Sequence, residues 1–152
     1  ERAAAGTDLR LYLGAELQFS DGSPCEYLIY GLTPEMIPEM IPLLAAGPAA
    51  LHAFTRDHGA ALFQAHPFRR GQSPALPAHL DGIEIHNGNP RHQSRNDIAA
   101  LFQAHNGLRA VSGSDYHQSD DIGRGGILTE QLPEDGAALA RLLLQGAYRL
   151  IG

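Results

Sequence analysis

Apolar residues recur along the chain with two different periods, and the changes of period mark the elements. Residues 9–17 place Leu9, Leu11, Leu13 and Ala15 at every second position, which predicts a first strand. Residues 27–32 form a short apolar run around Gly31, the pattern of a buried strand. Thr33-Pro34-Glu35 reads as a helix start, with a cap, a proline at the first position and an acid in the first turn. Pro38 and Pro42 forbid a long regular helix after it, because each removes a backbone donor. Residues 48–58 predict a helix closed by Gly59.

Residues 60–65 predict a buried strand broken by His66-Pro67, and residues 69–79 a loop rich in Pro, Gly and Ser. A strand follows at 82–86. Residues 91–105 carry the clearest helical pattern, with Ile98, Leu101 and Phe102 on one face and Asn106-Gly107 as the stop. Residues 108–112 are a strand, and a loop then runs through Asp115, His117 and Gly123. A strand at 126–128, a helix at 134–145 and a closing strand at 147–151 complete the chain. Short strands alternating with helices predict one α/β domain over residues 1–152, built on a parallel sheet. The string Leu-Phe-Gln-Ala-His occurs at 62–66 and again at 101–105; context puts the first on a strand and the second at a helix end.

Composition narrows the possible functions. Hydrophobic residues make up 43% and charged residues 18%, which suits a packed domain rather than a disordered chain. No apolar run approaches the ~18 residues that a membrane span needs, and a cytoplasmic protein is expected. Eleven Lys and Arg against 17 Asp and Glu leave a net charge of −6, which argues against coating duplex nucleic acid by neutralising its phosphates. The single cysteine, Cys25, excludes an internal disulfide and any multi-cysteine zinc site. Eight histidines, beside two methionines and no tryptophan, turn attention to metal or acid–base chemistry.

Several predicted strands end in polar residues, and in parallel α/β folds those ends are where sites are built. Ser112-Gly113-Ser114-Asp115-Tyr116-His117 is the sharpest case: small residues let the chain turn, and Asp115 and His117 fall on one side of an extended segment. A carboxylate and an imidazole at that spacing suit zinc, manganese or iron, or else Asp115 simply caps a turn beside an exposed His117. His66 follows a buried strand and is held by Pro67; alone it reads equally as a core-edge histidine. Glu16 sits between Ala15 and Leu17, where a carboxylate needs either an arginine or a metal. Asn87 lies in the turn-forming cluster Asn87-Gly88-Asn89-Pro90. Strict alternation separates it from Glu84, so Asn87 is the expected site residue of the two, provided the chain has left the strand there. Arg69 and Arg91 match the geometry of a phosphate, although each taken singly also reads as an ordinary surface residue. His52 and His58, on a helix, read as surface or cap residues.

Taken in order, Gly14-Ala15-Glu16, His66-Pro67, Gly82-Ile83-Glu84-Ile85-His86-Asn87 and Gly113-Ser114-Asp115-Tyr116-His117 resemble the motifs of the polymerase and histidinol phosphatase (PHP) domain family. The resemblance spans roughly residues 9–128. It implies a distorted (βα)7 TIM-like barrel with two or three divalent metal ions at the carboxyl ends of its strands, and hydrolysis of phosphoesters. On that reading Glu16, His66, Asp115 and His117 are metal ligands, and Arg69, Asn87 and Arg91 line the substrate site. The family's opening His-x-His pair has no counterpart here, and the chain is expected to be the C-terminal two-thirds of such a domain, its first strands missing. Where the family often has another histidine, residues 26–33 have none, and Glu26 stands in the comparable stretch.

The leading expectation is thus a metal-dependent phosphoesterase acting on a small phosphate ester or short nucleotide. A non-catalytic PHP-like remnant serving as an interaction domain is the alternative, and an amidohydrolase-like metalloenzyme a further one. Incomplete ligation predicts weak metal binding by this chain alone, and uncovered strand edges predict association with itself or with an N-terminal segment of the same protein.

Overall fold

In the computed structural model, which describes residues 5–152, the first strand forms only where a neighbour exists to pair with it. β1 (Gly14–Gln18) and β2 (Glu26–Tyr30) are antiparallel, with Glu16 opposite Leu28 and Gln18 opposite Glu26. The expected strand over 9–17 is therefore shortened. Leu9, Leu11 and Leu13 are 68%, 61% and 45% exposed, because no strand lies beside them among the described residues.

The prolines act as expected, but the helix starts late. Thr33 and Pro34 form a turn whose carbonyls accept from the Met36 and Ile37 amides, and α1 (Met36–Met40) begins only after it. Pro42 then turns the chain into a 3-10 segment, Ile41–Ala45. α2 (Pro48–Asp57) has proline in its first turn and ends before Gly59, whose φ of 70° suits a residue without a side chain. β3 (Ala61–Gln64) is buried throughout. It lies antiparallel to β2, and β4 (Gly82–Asn87) and β5 (Arg109–Gly113) follow in parallel.

α3 (Asn96–Asn106) joins β4 to β5 and starts five residues later than the periodicity suggests. The preceding segment is held by side chains instead: Asn87 Oδ1 accepts from the Asn89 amide at 3.2 Å, and Asn89 Oδ1 accepts from the Arg91 amide at 3.0 Å. Such local bonds compete with helix formation. The buried face is also rotated from the expected one. Ala99 is fully covered and Phe102 packs on the core, whereas Ile98 is exposed and Leu101 is 72% exposed. β6 (Gly126–Leu128) and β7 (Arg149–Ile151) form a separate antiparallel pair. Between them runs α4 (Gly136–Gln145), whose Asp135 cap accepts from the Ala138 amide at 2.7 Å.

Among the described residues the result is a mixed α/β fold with the sheet order β1-β2-β3-β4-β5 and four α-helices. The expectation of a wholly parallel sheet is corrected: β1, β3, β4 and β5 run one way and β2 the other. Residues 19–25 are too short a link for a parallel crossover, so β1 and β2 must form a hairpin. One face of the sheet packs Ile29, Leu62 and Ile83 against Met36, Met40 and Leu51 of α1 and α2. The opposite face packs Phe63 and Val111 against Ala140 and Leu143 of α4. Gly82 is required where β3 and β4 meet, since a Cβ there would lie 2.2 Å from Phe63 Cε1 and 2.4 Å from the Arg109 carbonyl. His52 is not a surface residue. It is buried and meets Asp81 at 3.1 Å, while Asp81 also accepts from the Leu62 amide, tying α2 to the strands beneath it.

Candidate metal centre

The reversal of β2 decides which side chains meet. Its first residue lies at the edge of the sheet where β1, β3, β4 and β5 end, so Glu26 joins the residues there. Glu16 pairs across from Leu28 and therefore shares a sheet face with Glu26, two positions away. The chain leaving β3 bonds through the Ala65 amide to the Glu26 carbonyl, which delivers His66 to the same corner. His66 Nε2 lies 3.3 Å from Glu16 Oε1 and 3.3 Å from Glu26 Oε2. Glu16, Glu26 and His66 each offer one ligand atom, and these three atoms lie within 4.8 Å of one another.

His66 is buried, yet its Nε2 has no hydrogen-bond partner of acceptable geometry; among the described residues, only Arg69 Nε shares that condition. Its backbone is also unusual, with φ 25° at a residue that has a side chain. Such a conformation costs about 1–3 kcal/mol and persists only where the surroundings enforce it. Glu84 supplies part of the enforcement by accepting from the His66 amide at 3.0 Å. Burial pushes the His66 imidazole towards neutrality and Arg69 acts the same way, but Glu16, Glu84 and Gln72 outweigh them, so its pKa is raised.

Glu84 and Asn87 both belong to this corner, which corrects the expectation that alternation separates them. β4 carries a bulge between Glu84 and His86, and the extra residue returns Asn87 to the face of Glu84. Asn87 Nδ2 donates to Glu84 Oε2 at 3.0 Å, and both side chains are buried. β4 does run through Asn87, so the chain has not left the strand there. Gly113 leaves room for Glu84, since a Cβ at that position would lie 2.6 Å from Glu84 Oε1. Burial pushes the Glu84 carboxyl up to about 7, against the bonds from Asn87 and the charge of His66.

Asp115 and His117 follow β5 at the same edge but form a separate group. Asp115 has φ 47° and an ion pair from its Oδ2 to Arg69 Nη2. Burial raises its pKa, but Arg69, helped by Asn87 and His66, reverses the sign and holds the carboxyl below its usual range. The His117 side chain is largely exposed, with Nδ1 2.9 Å from the Asp115 carbonyl. Arg91 grips Asp121 through both guanidinium nitrogens, at 2.8 and 2.6 Å, and Asp121 in turn accepts from the His117 and Gln118 amides. Hydrogen bonding from Arg91 holds the Asp121 carboxyl far below the carboxylate range. Arg91 therefore fastens the loop that carries Asp115 and His117.

Of the expected ligands, the structure thus gathers Glu16 and His66 and adds Glu26, while Asp115 and His117 stay a separate group in which Asp115 pairs with Arg69. Three contributors were not picked out as such from the sequence. Glu84 was hidden by the bulge. Gln72, 3.2 Å from His66 Nδ1, has no sequence signal, whereas Gln64, which pins the same loop by donating to the Ser73 carbonyl, has one: a glutamine ending the apolar run Ala61-Leu62-Phe63 marks a buried amide in need of partners. Comparison of the chain with protein-family models, curated proteins and solved structures finds no match.

Proposed function

We propose that this corner is the divalent metal centre of a phosphoesterase of the PHP type, with Glu16, Glu26 and His66 as ligands. The carrying observation is the buried His66 Nε2, which lacks a hydrogen-bond partner while two carboxylates stand 3.3 Å away. A ring nitrogen facing two anions is satisfied by a cation: the proton that Glu16 favours in raising the His66 pKa, or a metal ion that displaces it. Carboxylate and imidazole are both zinc ligands, and a site with three protein ligands keeps a further position open, as catalytic zinc sites do. Zinc, manganese and iron all suit such a set. A bound ion would supply the charge that acidifies water and stabilises a phosphoryl oxygen.

The residues around the centre have separable tasks in this reading. Arg69 Nε is a buried donor without a partner, and it is the group placed to donate to an anionic oxygen of a phosphate ester. Asp115 orients Arg69, and Arg91 with Asp121 holds the Asp115 loop. Glu84 and Asn87 fix the strained backbone of His66. We also propose that the sheet is an arc of a distorted barrel; the parallel run β3-β4-β5 and the gathering of candidate ligands at one strand edge support this, while the reversed β2 departs from a regular repeat.

The test is metal titration followed by assays on phosphate esters and, in parallel, cyclic amides. Zinc or manganese is expected to bind at one equivalent, with affinity falling by about 10-fold or more in His66→Ala and Glu26→Gln. Hydrolysis of phosphate esters is expected only with metal. Affinity indifferent to both substitutions overturns the assignment. One observation favours the non-catalytic alternative: Asp115 is already satisfied by Arg69, and His117 faces outward. Absence of metal binding would select that reading, and turnover of amides alone would select an amidohydrolase.

A further inference from the structure

We infer that Gln72 is a positioning residue that holds the neutral His66 ring in its Nδ1–H form and thereby turns the Nε2 lone pair towards Glu16 and Glu26. The inference deepens the metal-centre reading and rests on it for its purpose, though not for its geometry. Gln72 reaches two members of the cluster at once. Its amide nitrogen lies 3.2 Å from Glu26 Oε2 and its oxygen 3.2 Å from His66 Nδ1. A carboxylate only accepts, so the Gln72 nitrogen must face Glu26. The Gln72 oxygen must then face His66, and only an Nδ1–H can answer it. At the other ring nitrogen no acceptor is aligned.

The placement of Gln72 is itself built in. Two successive turns carry the chain from His66, with the Arg69 amide bonded to the His66 carbonyl and the Gln72 amide bonded to the Arg69 carbonyl. Beyond Gln72 the loop is pinned from beneath by the fully buried Gln64. That amide donates to the Ser73 carbonyl at 2.8 Å and accepts from the Ala75 amide at 2.8 Å. The Cys25 thiol also donates to the Ser73 carbonyl. Gln72 is thus anchored on both sides. A ligating imidazole whose second nitrogen is so bonded presents a fixed, more basic first nitrogen to the metal.

Nitrogen-15 spectra of histidine-labelled, metal-free protein test this, followed upward in pH until the His66 shifts become constant and the ring is neutral, with His66→Ala assigning the signal. In the unsubstituted protein and in Gln72→Glu, which keeps the acceptor, the Nε2 of His66 is expected to show the shift of an unprotonated nitrogen. In Gln72→Met, which removes the acceptor, the signal is expected to move towards the tautomer mixture of free histidine. A zinc titration of Gln72→Met is expected to show affinity about 10–100-fold weaker. An Nε2–H form in the unsubstituted protein, or an unchanged form in Gln72→Met, overturns the proposal. Failure of the metal reading looks different: His66 holds the Nδ1–H form in a Gln72-dependent way, but zinc does not bind.

Discussion

A buried carboxyl that hydrogen-bonds a strained backbone should report on pH, and Glu84 is that group. Its folded pKa of about 7 stands above the ordinary 4.5, chiefly because burial penalises the charge. A raised value means that the folded state holds the proton more tightly than the unfolded chain. The stability this contributes is full below about 4.5 and is lost as pH rises through about 7. Glu84→Gln keeps an oxygen to accept from the His66 amide and Asn87, but it cannot ionise. Thermal unfolding followed across that window should show a falling midpoint in the unsubstituted protein and a flatter one in Glu84→Gln, with the variant the more stable at pH about 8. His66, whose pKa is also raised, loses its contribution as pH rises above 6.5 in both proteins, so the difference between them reports Glu84, and Asp115 and Asp121 do not blur the window. Their pKa values are lowered, so their contributions hold above 3.8 and are lost only as pH falls below it.

At the scale of the element, α3 separates hydrophobic character from burial. Leu101 belongs to the most regular apolar pattern in the sequence, yet it faces solvent, while the smaller Ala99 is buried. Exposed side chains away from caps and networks usually change stability by less than about 0.5 kcal/mol, so Leu101→Lys should be close to neutral. Ala99→Leu should cost about 1–3 kcal/mol, because the added carbons have nowhere to go. Urea unfolding of the two variants checks the orientation of the helix directly. The opposite ranking would mean that α3 is turned as its apolar periodicity suggests.

For the whole molecule the two faces of the sheet are unequal. Among the described residues, α1, α2 and α3 pack on one face, while α4, joined by Ile127 of β6 and by Tyr148, covers the other, where Phe63 and Val111 meet Ala140 and Leu143. Gly31, with φ 81°, lies directly under α4, and a Cβ there would lie 2.9 Å from Ala140. Leu143→Ala should therefore cost about 2–5 kcal/mol. It should also loosen the α4 face as a unit, seen as faster amide exchange in both α4 and β5 while α2 keeps its protection. Equal loss of protection over α2 would show that the two faces do not behave separately. Among the described residues no helix is long and apolar enough to cross a membrane.

Local chemistry made part of this legible from sequence. Pro38 and Pro42 shorten a helix whatever surrounds them, and Gly59, Gly107 and Gly146 end helices by adopting a backbone that other residues resist. The strand ends near His66 and Asp115 are visible for the same reason, as polar residues closing apolar runs, whereas Glu16 lies at the centre of β1 rather than at its end. Other features needed partners distant in the chain. Leu9, Leu11 and Leu13 alternate like a strand, but a strand exists only where another pairs with it. Glu26 reaches His66 because β2 runs backwards, and Glu84 shares a face with Asn87 because one extra residue enters β4 opposite β5. Alternation along a single chain carries neither direction nor register; both are set by the hydrogen bonds between strands, and they decided which carboxylates face His66.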